Sequence, residues 1–301
     1  MKFDLSRYQH ISVRPVSGAI GAEIGGVDAS AAVPPATANE LRRALAQFHV
    51  IFFRDQQLDK ESVAAFASNF GELGKSPLAP ADTPLVGRLH RAAETPGDVR
   101  NNGDRWHTDR ANDEFPAKGF VLYCEEAPDY GGDTLFASLC QAYDALPPDL
   151  QERCRHLTGI HSMSGIFDLD GKKRSKRDPK REGFSGDDPR LEYIRMKTEH
   201  PLVCRHPESG RTLLFVTGAY LIGIKELSEE QSDSLIEQLN QLVVRPEFTC
   251  RFRWRRGSIA VLDNRCTQHY AVSDYAGFTR TMLRAELRGD WRPLRAEPGL
   301  P

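Results

Sequence analysis

Thr249-Cys-Arg-Phe-Arg-Trp254, Ile259-Ala-Val-Leu262 and Arg280-Thr-Met-Leu-Arg-Ala-Glu-Leu287 follow one another near the C-terminus, divided by turn residues. The first and last alternate with period two and the middle one is wholly apolar, the patterns of half-buried and fully buried strands. Tyr275-Ala-Gly-Phe278 supplies a turn before the last strand. Upstream, Leu202 to Cys204 and Thr212 to Val216 read as further strands. Between them and Thr249, Ser228-Glu-Glu-Gln231 caps a helix whose inner face is Leu235, Leu239, Leu242 and Val243. Phe120 to Cys124 and Thr134 to Phe136 are strands split by Pro128-Asp-Tyr-Gly-Gly132, and helical segments are expected over 138–156.

The N-terminal part has the same grain. Ile11, Val13 and Val16, then Ile20, Ala22 and Ile24, form two short strands broken at Ser17-Gly18. Thr37-Ala-Asn-Glu40 has the spacing of a capping box ahead of Leu41, Ala44, Leu45 and Phe48. Val50-Ile-Phe-Phe53 is a buried strand, and Val63, Phe66, Ala67 and Phe70 form a second helix closed by a left-handed cap at Gly71. The pattern is lost over 75–117 and again over 162–198, where Pro, Gly, Asp and charged residues dominate. Connections this long inside a compact domain carry function. Many short strands and few helices predict a mainly β chain with flanking helices (α+β), a β-sandwich or jelly roll, as one domain over 1–301.

The totals narrow the function. A 301-residue chain that is 40% hydrophobic buries a real core, and a net charge of -2 argues against nucleic acid or an anionic membrane as partner. Six scattered cysteines without a C-x-x-C pair suit a reducing cytoplasm. The N-terminus has no secretory signal and no apolar run is long enough to span a bilayer. The basic run Lys172-Lys-Arg-Ser-Lys-Arg177 with Lys180 and Arg181 reads first as a solvated loop. A lid lending charge to an anionic substrate, or a nucleic-acid patch, is the sharper alternative. Whether copies associate into a homo-oligomer is left open.

Trp106-His107-Thr108-Asp109 holds the candidate chemistry. On an extended segment His107 and Asp109 point to one face and can meet one ion. The spacing alone is a weak signal, because short motifs recur by chance. His269 would complete a set of two imidazoles and one carboxylate that leaves three positions open, the facial arrangement of non-haem Fe(II) oxygenases. Alone, His269 reads equally well as a satisfied core histidine. Arg280 and Arg284, four apart on one strand, face the same side and could grip carboxylates or other anions, or form ion pairs at a barrel rim.

With these residues in place the chain resembles the taurine dioxygenase family, which includes phenoxyalkanoate and alkylsulfate dioxygenases. The shared stretches are Val50-Ile-Phe-Phe-Arg-Asp55, Phe70-Gly-Glu-Leu73, Trp106-His-Thr-Asp109, Gly131-Gly-Asp-Thr-Leu-Phe-Ala137, His200-Pro-Leu-Val203, His206-Pro-Glu-Ser-Gly210, Asp263-Asn-Arg-Cys-Thr-Gln-His269 and Arg280-Thr-Met-Leu-Arg284. The resemblance implies a double-stranded β-helix (a cupin-like jelly roll) that uses Fe(II), 2-oxoglutarate and O2 to hydroxylate a C–H bond of a small anionic substrate. Carried over, His107, Asp109 and His269 are the iron ligands, Thr134 and Arg280 bind the far carboxylate of 2-oxoglutarate, and Arg284 holds the substrate's acidic head. Ser76 and Ala79 stand where taurine dioxygenases have a taurine-contacting His and Tyr, and Gly103 stands for an Asn, with Asn101 and Asn102 shifted. Met163 and Tyr220 replace pocket phenylalanines. Asn102, Met163 and Tyr220 are therefore expected to join Arg284 around a substrate larger than taurine with an apolar body. Two other readings are a non-catalytic anion- or nucleic-acid-binding protein on this fold, and a metal-dependent hydrolase.

Overall fold

A computed structural model describes residues 3–79, 82–92, 103–166 and 190–296. Strands β1 (Ser12–Pro15) and β2 (Ala22–Gly25) precede helix α1 (Pro35–Phe48), strand β3 (Val50–Phe53), helix α2 (Lys60–Ala67) and the short β4 (Leu73–Gly74). Next come β5 (Val86–Ala92), β6 (Gly119–Glu126), β7 (Thr134–Ser138), helices α3 (Leu139–Asp144) and α4 (Pro148–Arg155), and β8 (Thr158–His161). Helix α5 (Arg190–Arg195) leads to β9 (Thr198–Pro201), β10 (Val203–Arg205), β11 (Thr212–Leu214) and β12 (Leu221–Ile224). The chain ends with α6 (Glu229–Val243), β13 (Thr249–Phe252), β14 (Ile259–Asp263), β15 (Thr267–Ala271) and β16 (Thr279–Leu287).

An eight-stranded sheet runs β1-β2-β3-β14-β6-β16-β4, with β5 also paired to β16, and it faces a three-stranded sheet β13-β7-β15. Strand alternation decides what each face holds. Phe52, Phe120, Leu262 and Met282 of the large sheet pack inward with Phe136, Cys250 and Phe252 of the small one, and Phe52 stacks on Phe252 with ring centroids 4.0 Å apart. The intervening residues Ile51, Phe53, Val261, Leu283, Ala285 and Leu287 pack outward against Leu41, Leu45 and Phe48 of α1 and Val63 and Phe66 of α2. This is the jelly-roll arrangement expected, with helices on the outside. No helix among the described residues is long and apolar enough to cross a membrane.

Three local expectations need correction. The capping box at Thr37–Glu40 does not form: α1 begins at Pro35, whose ring presets the helical φ two residues earlier. Glu40 is buried instead and accepts the backbone N–H groups of Gln9 and His10, each at 2.9 Å. The second helix does not reach Phe70 or use Gly71 as a left-handed cap; it stops at Ala67 with Ser68 still right-handed. There Ser68 Oγ donates to the Ala65 carbonyl (2.7 Å) and Asn69 Nδ2 to that of Phe66 (2.9 Å), taking up the last-turn acceptors. The helical segments expected over 138–156 are the two helices α3 and α4, divided where Pro147 and Pro148 interrupt the hydrogen-bond ladder. Within 75–117, read as patternless, β5 pairs with β16 from Val86↔Ala285 to Ala92↔Thr279; with Gly, Arg and His interleaved it lacks the apolar alternation that reveals more buried strands. The cap on α6 forms as expected, Ser228 and Gln231 bonding reciprocally.

Candidate active site

His107 and His269 are brought side by side by the backbone. Each donates its N–H to the other's carbonyl, at 3.1 and 2.9 Å, as in a two-residue antiparallel bridge. Thr108 Oγ1 donates to the Thr267 carbonyl (2.8 Å), a contact across 159 residues of sequence. Asp109 is not on a strand, as alternation predicted, but in a turn. The buried Asn264 side chain takes both its backbone groups, accepting from Asp109 N (3.0 Å) and donating to Asp109 O (2.8 Å). A side chain that satisfies the backbone in this way replaces a ladder partner and turns the carboxylate toward the histidines.

The three side chains converge. Asp109 Oδ1 lies 3.6 Å from His107 Nε2 and Oδ2 lies 3.6 Å from His269 Nε2, and one donor atom from each residue falls within 4.8 Å of the others. Ligands held about 2.1 Å from one ion at right angles stand roughly 3 Å apart, so this spacing suits a shared cation after small side-chain rotations. His107 Nδ1 sits 2.7 Å from the Arg105 carbonyl; a carbonyl can only accept, so Nδ1 carries a proton and Nε2 is the nitrogen turned toward the ion. Burial and then His107 push the His269 imidazole down to about 3, leaving it neutral near pH 7. Burial raises the Asp109 carboxyl, but Arg284 and the two histidines outweigh it and bring it down to about 2. Two imidazoles and one carboxylate are the donor set of a divalent first-row metal.

Two cavities meet here, both lined by His107, Asp109, Leu89 and Arg284. The first, of about 190 Å³, ends at Thr134 and Arg280. Arg280 Nη2 and Trp254 Nε1 both donate to Thr134 Oγ1, at 3.3 and 2.9 Å, which leaves the threonine proton for an acceptor in the cavity. The second, of about 370 Å³, has apolar walls from Leu78, Leu85, Met163 and Ile166, with Ser76, Ala79, Tyr193 and Tyr220. Arg284 stands at the seam, its guanidinium over the Phe120 ring at 4.1 Å and Nη2 3.0 Å from Asp109 Oδ2.

The structure thus gathers His107, Asp109, His269, Thr134, Arg280, Arg284, Met163 and Tyr220. Asn101 and Asn102 lie outside the described residues, as does the basic run 172–181. Asn264, Trp254, Arg110, Glu286 and Tyr193 were not anticipated. Asn264 lies inside a motif of the resemblance; the others carry no distinguishing sequence signal, since nothing local tells which cavity a side chain will face.

A second donor cluster, His206, Asp263 and Cys266, is fully buried. Here Arg265 donates to both Asp263 oxygens, at 2.9 and 2.6 Å, and His206 Nε2 is 3.0 Å from Oδ2. The guanidinium already fills the cation's place, and burial pushes the Cys266 thiol up, away from the thiolate a metal needs. This cluster is a structural ion network.

Residues 12–285 match the family described as "Taurine catabolism dioxygenase TauD, TfdA family". The chain is 37% identical over 286 residues to an alpha-ketoglutarate-dependent (2-oxoglutarate-dependent) sulfate ester dioxygenase of Pseudomonas putida, covering 93% of this chain and 90% of that one. It is 33% identical over 289 residues to an alkylsulfatase of Acinetobacter baylyi, covering 94% and 86%. Among solved structures, a taurine dioxygenase from Burkholderia xenovorans superposes with a TM-score of 0.76 at 32% identity, covering 94% of this chain and 92% of that one.

Proposed function

The chain belongs to the TauD/TfdA family and is an Fe(II)- and 2-oxoglutarate-dependent dioxygenase; from that premise we propose that it oxidises alkyl sulfate esters with an apolar body. In this reading His107, Asp109 and His269 hold the iron, Thr134 and Arg280 the distal carboxylate of 2-oxoglutarate, and Arg284 the sulfate. Met163 and Tyr220, facing the larger cavity with Leu78 and Leu85, pack the alkyl chain. Bound iron supplies oxygen activation coupled to decarboxylation of 2-oxoglutarate to succinate and CO2.

The protein's own share is orientation and exclusion of water. The Arg280 fork and the Thr134 hydroxyl meet a carboxylate with charged hydrogen bonds each worth about 1.5–3 kcal/mol. Arg284 fixes the anionic head at the seam, so the carbon bearing the ester oxygen is the one presented to the metal. Hydroxylation there gives a hemiacetal sulfate that collapses to an aldehyde and inorganic sulfate. Residues 1–301 act as one domain in this proposal, supported by the pairing of β3, from the N-terminal part, with β14. Six free, buried cysteines support a reducing, cytoplasmic setting. Near-neutral charge supports a small-molecule partner over nucleic acid.

The observation that carries the substrate reading is the apolar second cavity opening on Arg284. Ser76 and Ala79 line it in place of the longer His and Tyr pair that would reach and select a small amino-sulfonate, and Ser76 Oγ accepts from Leu78 N at 3.2 Å. Incubation with Fe(II), 2-oxoglutarate and hexyl sulfate should release sulfate and succinate in equal amounts, with little turnover of taurine. Preferential use of taurine, or succinate formed without sulfate, would refute the substrate class.

A further inference from the structure

We propose that Arg110 is a positioning residue for the metal-ligand turn, clamping the residue next to Asp109 to strand β16 and helix α5. The inference rests on Asp109 being a metal ligand. Arg110 follows Asp109 directly and adopts φ +55°, and among the described non-glycine residues only His49 and Asp55 also have positive φ. A side chain with a β-carbon rarely takes this left-handed conformation unless its surroundings impose it. The surroundings are specific. Arg110 Nε donates to Asp113 Oδ2 at 2.6 Å, and its guanidinium also pairs with Glu286 on β16, two residues beyond Arg284. The other Asp113 oxygen accepts from the Tyr193 hydroxyl of α5 at 2.6 Å.

Arg110 is thus neutralised by two carboxylates and does not compete with Arg284 for a substrate anion. Its fork ties β16 directly, and helix α5 through Asp113, to the peptide that carries Asp109. Released from the clamp, Arg110 would relax toward right-handed or extended backbone, and the change in ψ of Asp109 would swing the carboxylate away from the two imidazoles. Asn264 holds the Asp109 backbone from the opposite side. The two devices together set the carboxylate's direction. Groups that orient a metal ligand in this way typically alter affinity about 10- to 100-fold when removed.

The test is Mn(II) affinity of the full chain, read from the signal of free Mn(II) in electron paramagnetic resonance, with no 2-oxoglutarate or prime substrate present. Asp109→Ala should abolish specific binding. Arg110→Ala should raise the Mn(II) Kd about 10- to 100-fold. Arg110→Gly, which adopts positive φ freely, should lose nearly as much, and Arg110→Lys should recover part of the affinity. Wild-type affinity in Arg110→Gly would mean that only the backbone matters and would overturn the proposal, as would unchanged affinity in Arg110→Ala. If Arg110→Ala does not fold, Glu286→Gln and Tyr193→Phe, which preserve size, decide: a rise of a few-fold in Kd supports the clamp, and wild-type values in both refute it. Should wild type and Asp109→Ala bind alike, the ligand assignment itself fails and the clamp with it.

Discussion

Thr134 and Arg280 show how two side chains of unequal strength can share one task. Arg280 brings a charged, forked donor, whereas Thr134 offers one hydroxyl already accepting from Arg280 and Trp254. Loss of a neutral hydrogen bond is worth about 0.5–1.5 kcal/mol and loss of a charged one about 1.5–3 kcal/mol. In calorimetric titration of the Mn(II)-loaded protein, Thr134→Val should therefore weaken 2-oxoglutarate binding by about three- to tenfold. Arg280→Ala, which loses two charged bonds, should weaken it by at least about 100-fold. Equal losses in the two variants would mean that the guanidinium does not meet the carboxylate. These roles came from motifs, because composition alone leaves a β-branched residue and an arginine on strands without a partner. Arg110 and Glu286 had no such motif, and only the folded turn reveals what they hold.

Among the elements, β16 was readable because alternation is the physics of a strand with one apolar face. Leu283, Ala285 and Leu287 pack on the helices, and Arg280 and Arg284 turn to the cavities. Strand β5 was not readable, because pairing to β16, and not its own side chains, makes it a strand. The capping box at Thr37 misled for a related reason: the four-residue spacing was there, but Pro35 starts the helix first and Glu40 is drawn to the N-terminal backbone. Thr37→Ala should then change stability by less than about 0.5 kcal/mol. Glu40→Ala, leaving the Gln9 and His10 amides unpaired, should cost about 1–3 kcal/mol in urea denaturation. The reverse order would restore the capping box.

The paired strands β8 and β9 carry a pH dependence. Burial and then His200 push His161 down to about 3, and burial pushes His200 down to about 4, from the ordinary 6.5. Below pH 6.5 the unfolded chain takes up protons on both residues while the folded chain does not, so stability falls as pH drops toward 4. Each histidine contributes up to about 1.4 kcal/mol per pH unit in that window. His161→Phe should flatten the slope of unfolding free energy between pH 6.5 and 4. An unchanged slope would show that another group sets it.

On the scale of the whole molecule, the site exists because distant parts of the chain share sheets. Strands β3, β6, β14 and β16 lie in one sheet, and β15 with His269 packs in the facing one. The overall architecture was legible from many short strands, and so was the convergence of His107, Asp109 and His269. What could not be read was the turn at Asp109 and the shape of the second cavity, since both are made by contacts between segments far apart in sequence. The most direct measurement is anaerobic absorption spectroscopy of the full chain with Fe(II) and 2-oxoglutarate. The wild type should develop the weak visible charge-transfer band of a chelated 2-oxoglutarate, saturating with one metal per chain, and Asp109→Ala should lose it. A wild-type spectrum without the band, or a band that persists in Asp109→Ala, would contradict the assignment of these three residues to one metal ion.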